Sequence, residues 1–369
     1  MMADARALRK SPCPSCGGDA EWSPSKMALA CPYCGTVLAS SDRIGENASP
    51  IHEHDLETAL ASVPDAGRGL QAAKKSVKCE SCQAISFFDS HRAAQRCDFC
   101  GSPSILPAES LLDVITPESL LPVVIPESQV RDQLKKWYHS RWFAPNSLKR
   151  SALTDTLHGI YLPYWTFDAQ ADAHWTAQSG YYYYVNETYR DSNGKSATRR
   201  VRKIRWENAA GRLNHFFDDV MVPGTVGAHL KLLRKVEPFP TQHDLKPYDP
   251  AYIRGWTVER YQVDLRQAAH TNTATMDTTI KQLCAREVPG DTQRNLEVNT
   301  IYQSRTFKHI LVPAWIVSYT YGKKSYQVIV NGYTGTMAGE HPLSWLKITF
   351  AALFILVVIA VIIQLNQGG

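Results

Sequence analysis

The sequence predicts an α+β protein with two small zinc ribbons at one end and a single apolar helix at the other. Three observations carry that expectation. Eight of the nine cysteines fall between residues 13 and 100, as four CxxC pairs. The stretch 105–342 mixes helix-like and strand-like patterns and is rich in Tyr and Trp. Residues 345–365 are almost devoid of polar side chains. The expected organisation is a zinc ribbon over 11–38, a linker over 39–76, a second ribbon over 77–104, an α+β domain over 105–342 and a transmembrane helix over 345–365.

The first cysteine block, "CPSCGGDAEWSPSKMALACPYCG", sets Cys13 and Cys16 fourteen residues before Cys31 and Cys34. The second, "CESCQAISFFDSHRAAQRCDFCG", repeats that spacing with Cys79, Cys82, Cys97 and Cys100. Zinc takes four ligands in a tetrahedron, and each CxxC turn offers two thiolates from one tight loop. Two turns complete a site, so two zinc ions per chain are expected. With four cysteines in each set, no coordination position is left open for catalysis, and the metal replaces a core too small to hold the fold alone. Gly17, Gly35 and Gly101 follow three of the four turns, where positive φ is useful, and Gln83 stands at the fourth. The residues between the paired turns read as short hairpins. Clustered CxxC pairs point to reduced thiols rather than a disulfide scaffold, and "MMADARALRKSPC" has no apolar signal region.

Between the ribbons, "SPIHEHDLETALASVPD" predicts a short helix ending before Pro64. His52 and His54 are expected on the surface, since the eight cysteines already fill two sites. "GRGLQAAKKSVK" reads as a flexible basic lead-in to the second ribbon.

In the middle region, "PESQVRDQLKKWYHSRW" (126–142) places Val130, Leu134, Trp137 and Trp142 on one helical face, with Pro126 at its start. "GIYLPYWTFDAQADAHW" (159–175) reads as a strand and turn. Asn193-Gly194 then joins two further strands in a hairpin. Asp264 and Gln267 suggest a capping box opening a helix from Leu265, with Ala268, Met276, Ile280 and Leu283 on its inner side. Strands follow in "FKHILVPAWIVSYTYGKKSYQVIVNGYTG". "YLPYW" (161–165) and "LVPAW" (311–315) share the pattern apolar-Pro-x-Trp, which suggests an internally duplicated helix-plus-sheet unit. The run "YYYY" (181–184) is read as strand structure rather than a base-stacking platform. "RRVRKIR" (199–205) is left open between a phosphate-binding surface and a solvated strand face.

At the C-terminal end, Trp345 and Lys347 flank the apolar run as interfacial residues would. Lys323, Lys324 and Lys347 lie before it and no charge follows it, so the positive-inside rule places the N-terminal domains in the cytoplasm. Net charge is +5, weaker than a dedicated nucleic-acid binder shows. The sequence contains no phosphate loop, no HExxH and no GxSxG, and "GTVGAH" (224–229) lacks the lysine of a phosphate loop. No acid–base pair stands out, and Cys284 reads as a packed thiol. No catalytic or small-molecule cofactor residues are therefore expected.

The paired ribbons, "GWTVERYQVDL" (255–265), "VNGYTGTMAGEHPLSWLKI" (330–348) and the terminal apolar run together resemble a bacterial group often labelled primosomal protein N′-like. That group is similar to the zinc-ribbon membrane partners of phage-shock and flotillin-like (SPFH) systems. The resemblance implies a non-enzymatic adaptor on the inner membrane that recruits a cytoplasmic protein, such as an envelope-stress effector; the membrane tether and modest charge favour a protein partner over nucleic acid. The competing expectations are a nucleic-acid binder at the membrane and an enzyme with an unrecognised site in the middle domain.

Overall fold

The computed structural model describes residues 12–38, 50–62, 75–79, 84–88, 97, 105–108, 115–145, 157–190, 196–226, 230–321 and 324–367. In chain order the strands are β1 (Glu21–Ser23), β2 (Ala28–Ala30), β3 (His54–Asp55), β4 (Lys75–Cys79), β5 (Ile85–Phe88), β6 (Ile105–Ala108), β7 (Ser119–Leu120), β8 (Leu157–Arg190), β9 (Ser196–Pro223), β10 (Lys246–Pro247), β11 (Thr257–Glu259), β12 (Thr292–Tyr321), β13 (Lys324–Asn331) and β14 (Met337–Gly339). The helices are α1 (Leu56–Ser62), α2 (Glu127–Ser140), α3 (Leu230–Val236), α4 (Thr241–Asp244), α5 (Leu265–Glu287) and α6 (Trp345–Gln367). Apart from the β1–β2 hairpin, the strands join one large curled sheet, ordered β10-β7-β12-β8-β11-β5-β4-β6. β9 lies beside β8, while β3 and β13 lie beside β12.

Three long strands dominate this α+β architecture. β8 has 34 residues, β9 has 28 and β12 has 30. At about 3.3 Å per residue, β8 runs roughly 110 Å along its own path. The sequence pattern suggests a strand and turn at 159–175, but β8 continues through it. The reason is visible in the burial. Ala169, Ala171, Ala173 and Ala177 alternate on one face beneath α5, whose Met276, Ile280 and Cys284 pack onto them. Small side chains let a helix lie close on a strand, so the helix supplies what alanine's weak strand preference lacks.

α5 begins as its cap predicts: the Asp264 carboxylate accepts from the Gln267 amide at 2.8 Å. Its inner face uses Cys284, fully buried, where the periodicity favours Leu283. α2 buries Val130 and Leu134, then Tyr138. It stops at Ser140, so Trp142 lies beyond the helix, 83% exposed. Within the stretch expected as a linker, β3 pairs with β12 at Thr306 and Phe307, and Leu56 of α1 is completely buried. Residues 75–79 and 105–108 pair as β4 and β6 and extend the main sheet through β5 and β11.

The two apolar-Pro-x-Trp motifs meet face to face. β8 and β12 are antiparallel, with Leu162 opposite Val312 and Tyr161 opposite Pro313. Around them the bonding repeats. The Gly224 amide donates to the Pro163 carbonyl, and the Gly332 amide donates to the Pro313 carbonyl, each at 2.9 Å. The Gly224 carbonyl accepts from Gln262 and Val263, as the Gly332 carbonyl accepts from Val124 and Ile125. Trp165 donates its indole N–H to the Val263 carbonyl at 2.9 Å, just before α5. Trp315 donates to the Ile125 carbonyl at 2.9 Å, just before α2. β11 lies parallel to β8 and β7 parallel to β12 at matching positions. Each half therefore fixes the start of the other half's helix.

At the level of Asp168 both outer strands slip register against β8. Asp219 (φ 52°) and Ser304 (φ 51°) adopt the left-handed conformation there. Such bulges bend and twist a strand. The Asp168 carboxylate accepts from the Asp219 amide at 2.6 Å and from the Thr306 hydroxyl at 3.2 Å, so it holds both sides of the bend. α6 departs from the far end of this sheet and is long and apolar enough to cross a membrane: Trp345–Leu365 has a mean hydropathy of 3.0, and none of it is buried in the fold.

Candidate metal centre

Cys13, Cys16, Cys31 and Cys34 converge. Their sulfurs all lie within 4.8 Å of one another. Two matched backbone turns bring them there. In the first, the Cys13 amide donates to Gly18 O at 2.7 Å and the Gly17 amide to Cys13 O at 2.9 Å. In the second, Cys31 donates to Thr36 O and Gly35 to Cys31 O, both at 2.9 Å. Gly17 and Gly35 share a φ of 75°, the left-handed conformation that glycine adopts without strain. The β1–β2 hairpin between the turns sets their separation.

Cys13 and Cys34 sulfurs are 3.4 Å apart, and Cys16 and Cys31 sulfurs 3.5 Å. These separations are far beyond a disulfide bond. They are close to the ~3.8 Å edge of a tetrahedron with 2.3 Å metal–sulfur bonds. The Thr36 hydroxyl, 3.2 Å from the Cys34 sulfur, and the Thr36 amide hold that thiol down at about 6. The Gly18 amide favours the Cys16 thiolate, but the crowding sulfurs of Cys31 and Cys34 push it up to about 12. Four sulfurs gathered in so small a volume could hold a cation, and the all-sulfur donor set suits zinc. Bound there, zinc would tie the two turns together.

The centre is seated on the main sheet. Trp22, on β1, is 5% exposed and donates its indole N–H to Val123 O at 3.1 Å. Its amide donates to Arg254 O at 3.2 Å, and the Trp256 indole donates back to Trp22 O at 3.3 Å. Ala20, Leu29 and Leu38 pack with Ala251. Gly255 permits the close approach of Glu21: any side chain there would meet the Glu21 carboxyl group at under 3 Å. A cleft of about 540 Å³ remains between ribbon and sheet, bordered by Lys26, Cys31, Glu127, Trp256 and Trp315.

Of the second cysteine set, Cys79 and Cys97 are described and both are buried. Cys82, Cys100 and Gly101 lie outside the described residues. The Cys79 amide donates to Ala84 O at 2.9 Å, the same five-residue bond that opens each turn of the first centre. Nearby, Glu259 is buried and accepts from Thr225 at 2.8 Å and Gln262 at 3.1 Å. Burial above all, with the Cys97 thiol adding, raises its carboxyl to about 8.

The tyrosine run and the basic run lie on paired antiparallel strands. "YYYY" on β8 pairs with "RRVRKIR" on β9: Tyr182 lies opposite Ile204 and Tyr184 opposite Arg202. Arg200 stacks over Tyr184 and Arg202 over Tyr182, each at 4.3 Å. On the other face Glu187 pairs with Lys203 at 2.9 Å and Arg199 at 3.5 Å. The tyrosines and basic residues thus satisfy each other across the strands. The turn at Asn193-Gly194 lies outside the described residues. His54 is exposed, as expected, and pairs with Glu118 at 2.8 Å.

One buried polar cluster has no sequence signature. Lys308 sends its ammonium to Asp219 and Glu53, each at 2.9 Å, beside Asp168. Asp168, Asp218 and Asp219 lie close enough to hold a metal ion, but Lys308 already supplies the positive charge to this group. Burial raises Asp168 to about 6. The only hint was an acid within "YWTFDAQ" and a lysine within "TFKHIL", each interrupting an apolar strand.

No family model matches the chain, and no solved structure matches it. It is similar to the uncharacterized protein YdjG of Bacillus subtilis (strain 168), with 22% identity over 247 residues that cover 64% of this chain and 67% of that one.

Proposed function

We propose that the protein is a non-enzymatic adaptor that holds a cytoplasmic protein partner at the inner face of a membrane. Its zinc ribbons form the docking platform and α6 is its single span. The observation that carries this reading is the closed four-cysteine centre built onto the same sheet that ends in an exposed apolar helix. A closed thiolate set is a scaffold rather than a reaction site. α2 runs from the cleft beside Cys31 to the turn beside α6, and its 14 residues span about 21 Å. A partner on the first ribbon would thus sit a short, fixed distance above the bilayer.

The reading includes a second zinc at Cys79, Cys82, Cys97 and Cys100, supported by the matching turn at Cys79. It takes the bonding correspondence between the two halves as the mark of an internal duplication. It places the chain with the primosomal protein N′-like group and its partner in the phage-shock or SPFH class, on the sequence resemblance alone. The basic hairpin argues against a nucleic-acid role, since its arginines are engaged by tyrosines and Glu187.

Elemental analysis of the purified full chain should find two zinc ions. Cys13→Ser should lose one zinc and, in membrane cross-linking with mass spectrometry, lose the partner while staying in the membrane. The reading fails if the chain instead binds DNA or RNA at nanomolar strength in physiological salt. It would fail most clearly if that binding vanished when Arg199, Arg200, Arg202, Lys203 and Arg205 were changed to Gln.

A further inference from the structure

The turn after α2 carries two aromatic side chains that the fold does not use. Trp142 is 83% exposed and Phe143 is 42% exposed, although Ala144, next to them, is completely buried in the core. The turn is clasped to the start of α6. The Ser344 amide donates to Phe143 O at 2.7 Å. The Lys347 ammonium donates to Trp142 O at 3.1 Å and to Ala144 O at 2.7 Å. The clasp fixes both rings alongside the first turns of the helix. Between them lies an open space of about 1040 Å³, bordered by Phe350, Leu353, Phe354 and Val357 as well as the two rings. Phe350 and Val357 lie about 8 and 18 Å along the helix from Trp345.

We infer that the Trp142–Phe143 turn is a second membrane contact, and that a phospholipid acyl chain fills the space between it and α6. This rests on the reading of α6 as a span. Continuity decides the occupant. The space is walled by the same residues that would face lipid, and it opens beside a helix with no buried position in its apolar window. Trp at the headgroup level, with an apolar body and a polar N–H, is the side chain suited to that boundary. Trp345, 82% exposed, stands at the first position of α6. Lys347 does not reach outward for a headgroup, because two carbonyls already hold its ammonium. It locks the turn against the helix instead. The domain is therefore fixed in orientation by two points of contact, not hung from one flexible joint.

Full-length protein in phosphatidylcholine vesicles with chains brominated at carbons 6 and 7 tests this by tryptophan quenching. Trp142→Phe and Trp345→Phe remove exposed rings, so folding does not depend on them. Each should remove about half of the quench that brominated lipid produces relative to plain lipid. If Trp345→Phe lowers the quench and Trp142→Phe leaves it unchanged, the span stands and the second contact is overturned. A Trp142 component with blue-shifted but unquenched emission means that protein, such as a second copy's helix, fills the space, which also overturns it. If neither substitution changes the quench and carbonate strips the protein from the vesicles, the span reading itself falls.

Discussion

His309 sits inside the sheet with its ring 4.9 Å from Trp165 and its Nδ1 2.8 Å from Ile115 O. Burial holds its titration down at about 4, against an ordinary value of 6.5. The unfolded chain therefore binds the extra proton first as pH falls. The stability this histidine contributes is complete above about pH 6.5 and is lost progressively toward pH 4. His309→Asn puts an amide N–H near the position of Nδ1, so it keeps a donor for Ile115 O and removes the titration. The stability advantage of the native protein over this variant should shrink by about 2 kcal/mol between pH 7 and pH 5. Urea unfolding of the detergent-solubilised protein at the two pH values measures it, and an unchanged difference would show that His309 is protonated without cost. Comparing native and variant protein separates this effect from Asp168, whose raised titration acts in the opposite direction.

At the scale of elements, the sheet is held by reciprocal ties. Trp165→Phe and Trp315→Phe each strand one backbone carbonyl at the head of a helix, Val263 O before α5 or Ile125 O before α2. The orphaned carbonyl alone should cost about 1–3 kcal/mol in each case. Because the two halves correspond, the losses in thermal unfolding should be similar, and one large loss beside a negligible one would break the correspondence. The cap of α5 and the buried Val130 and Leu134 of α2 were legible because capping and helical spacing are local signals. Trp142 was not, since the helix ends two residues before it and its ring turns to α6. The length of β8 was hidden because alternating alanines carry little strand signal without the helix above them. The cluster of Lys308, Asp219 and Asp168 was invisible because its members come from three strands far apart in sequence. The first four-cysteine cluster was the most legible feature of all, because a repeated spacing encodes the turn itself.

For the whole molecule, the exposed helix α6 leads to a plain expectation. Removing residues 343–369 should move the protein from the carbonate-resistant membrane fraction to the soluble one, and retention in the membrane would reveal a second strong anchor. The shortened chain should keep its metal, since Trp22 ties the cysteine centre to Val123 and Arg254 rather than to α6. The pairing of β8 with β12 has a further consequence, which concerns time. β12 begins at Thr292, 102 residues after β8 ends at Arg190. At about 5–20 residues per second, a ribosome would finish β8 on the order of 10 s before its central partner starts to emerge. β9 follows at once and covers one edge as a hairpin, but the other edge of β8 must wait. During that interval the nascent protein offers a long unpaired edge and an uncovered alanine face, an open template for a wrong strand. Slowing synthesis between residues 223 and 292 should therefore raise the yield of aggregate, while completed chains stay as stable as before.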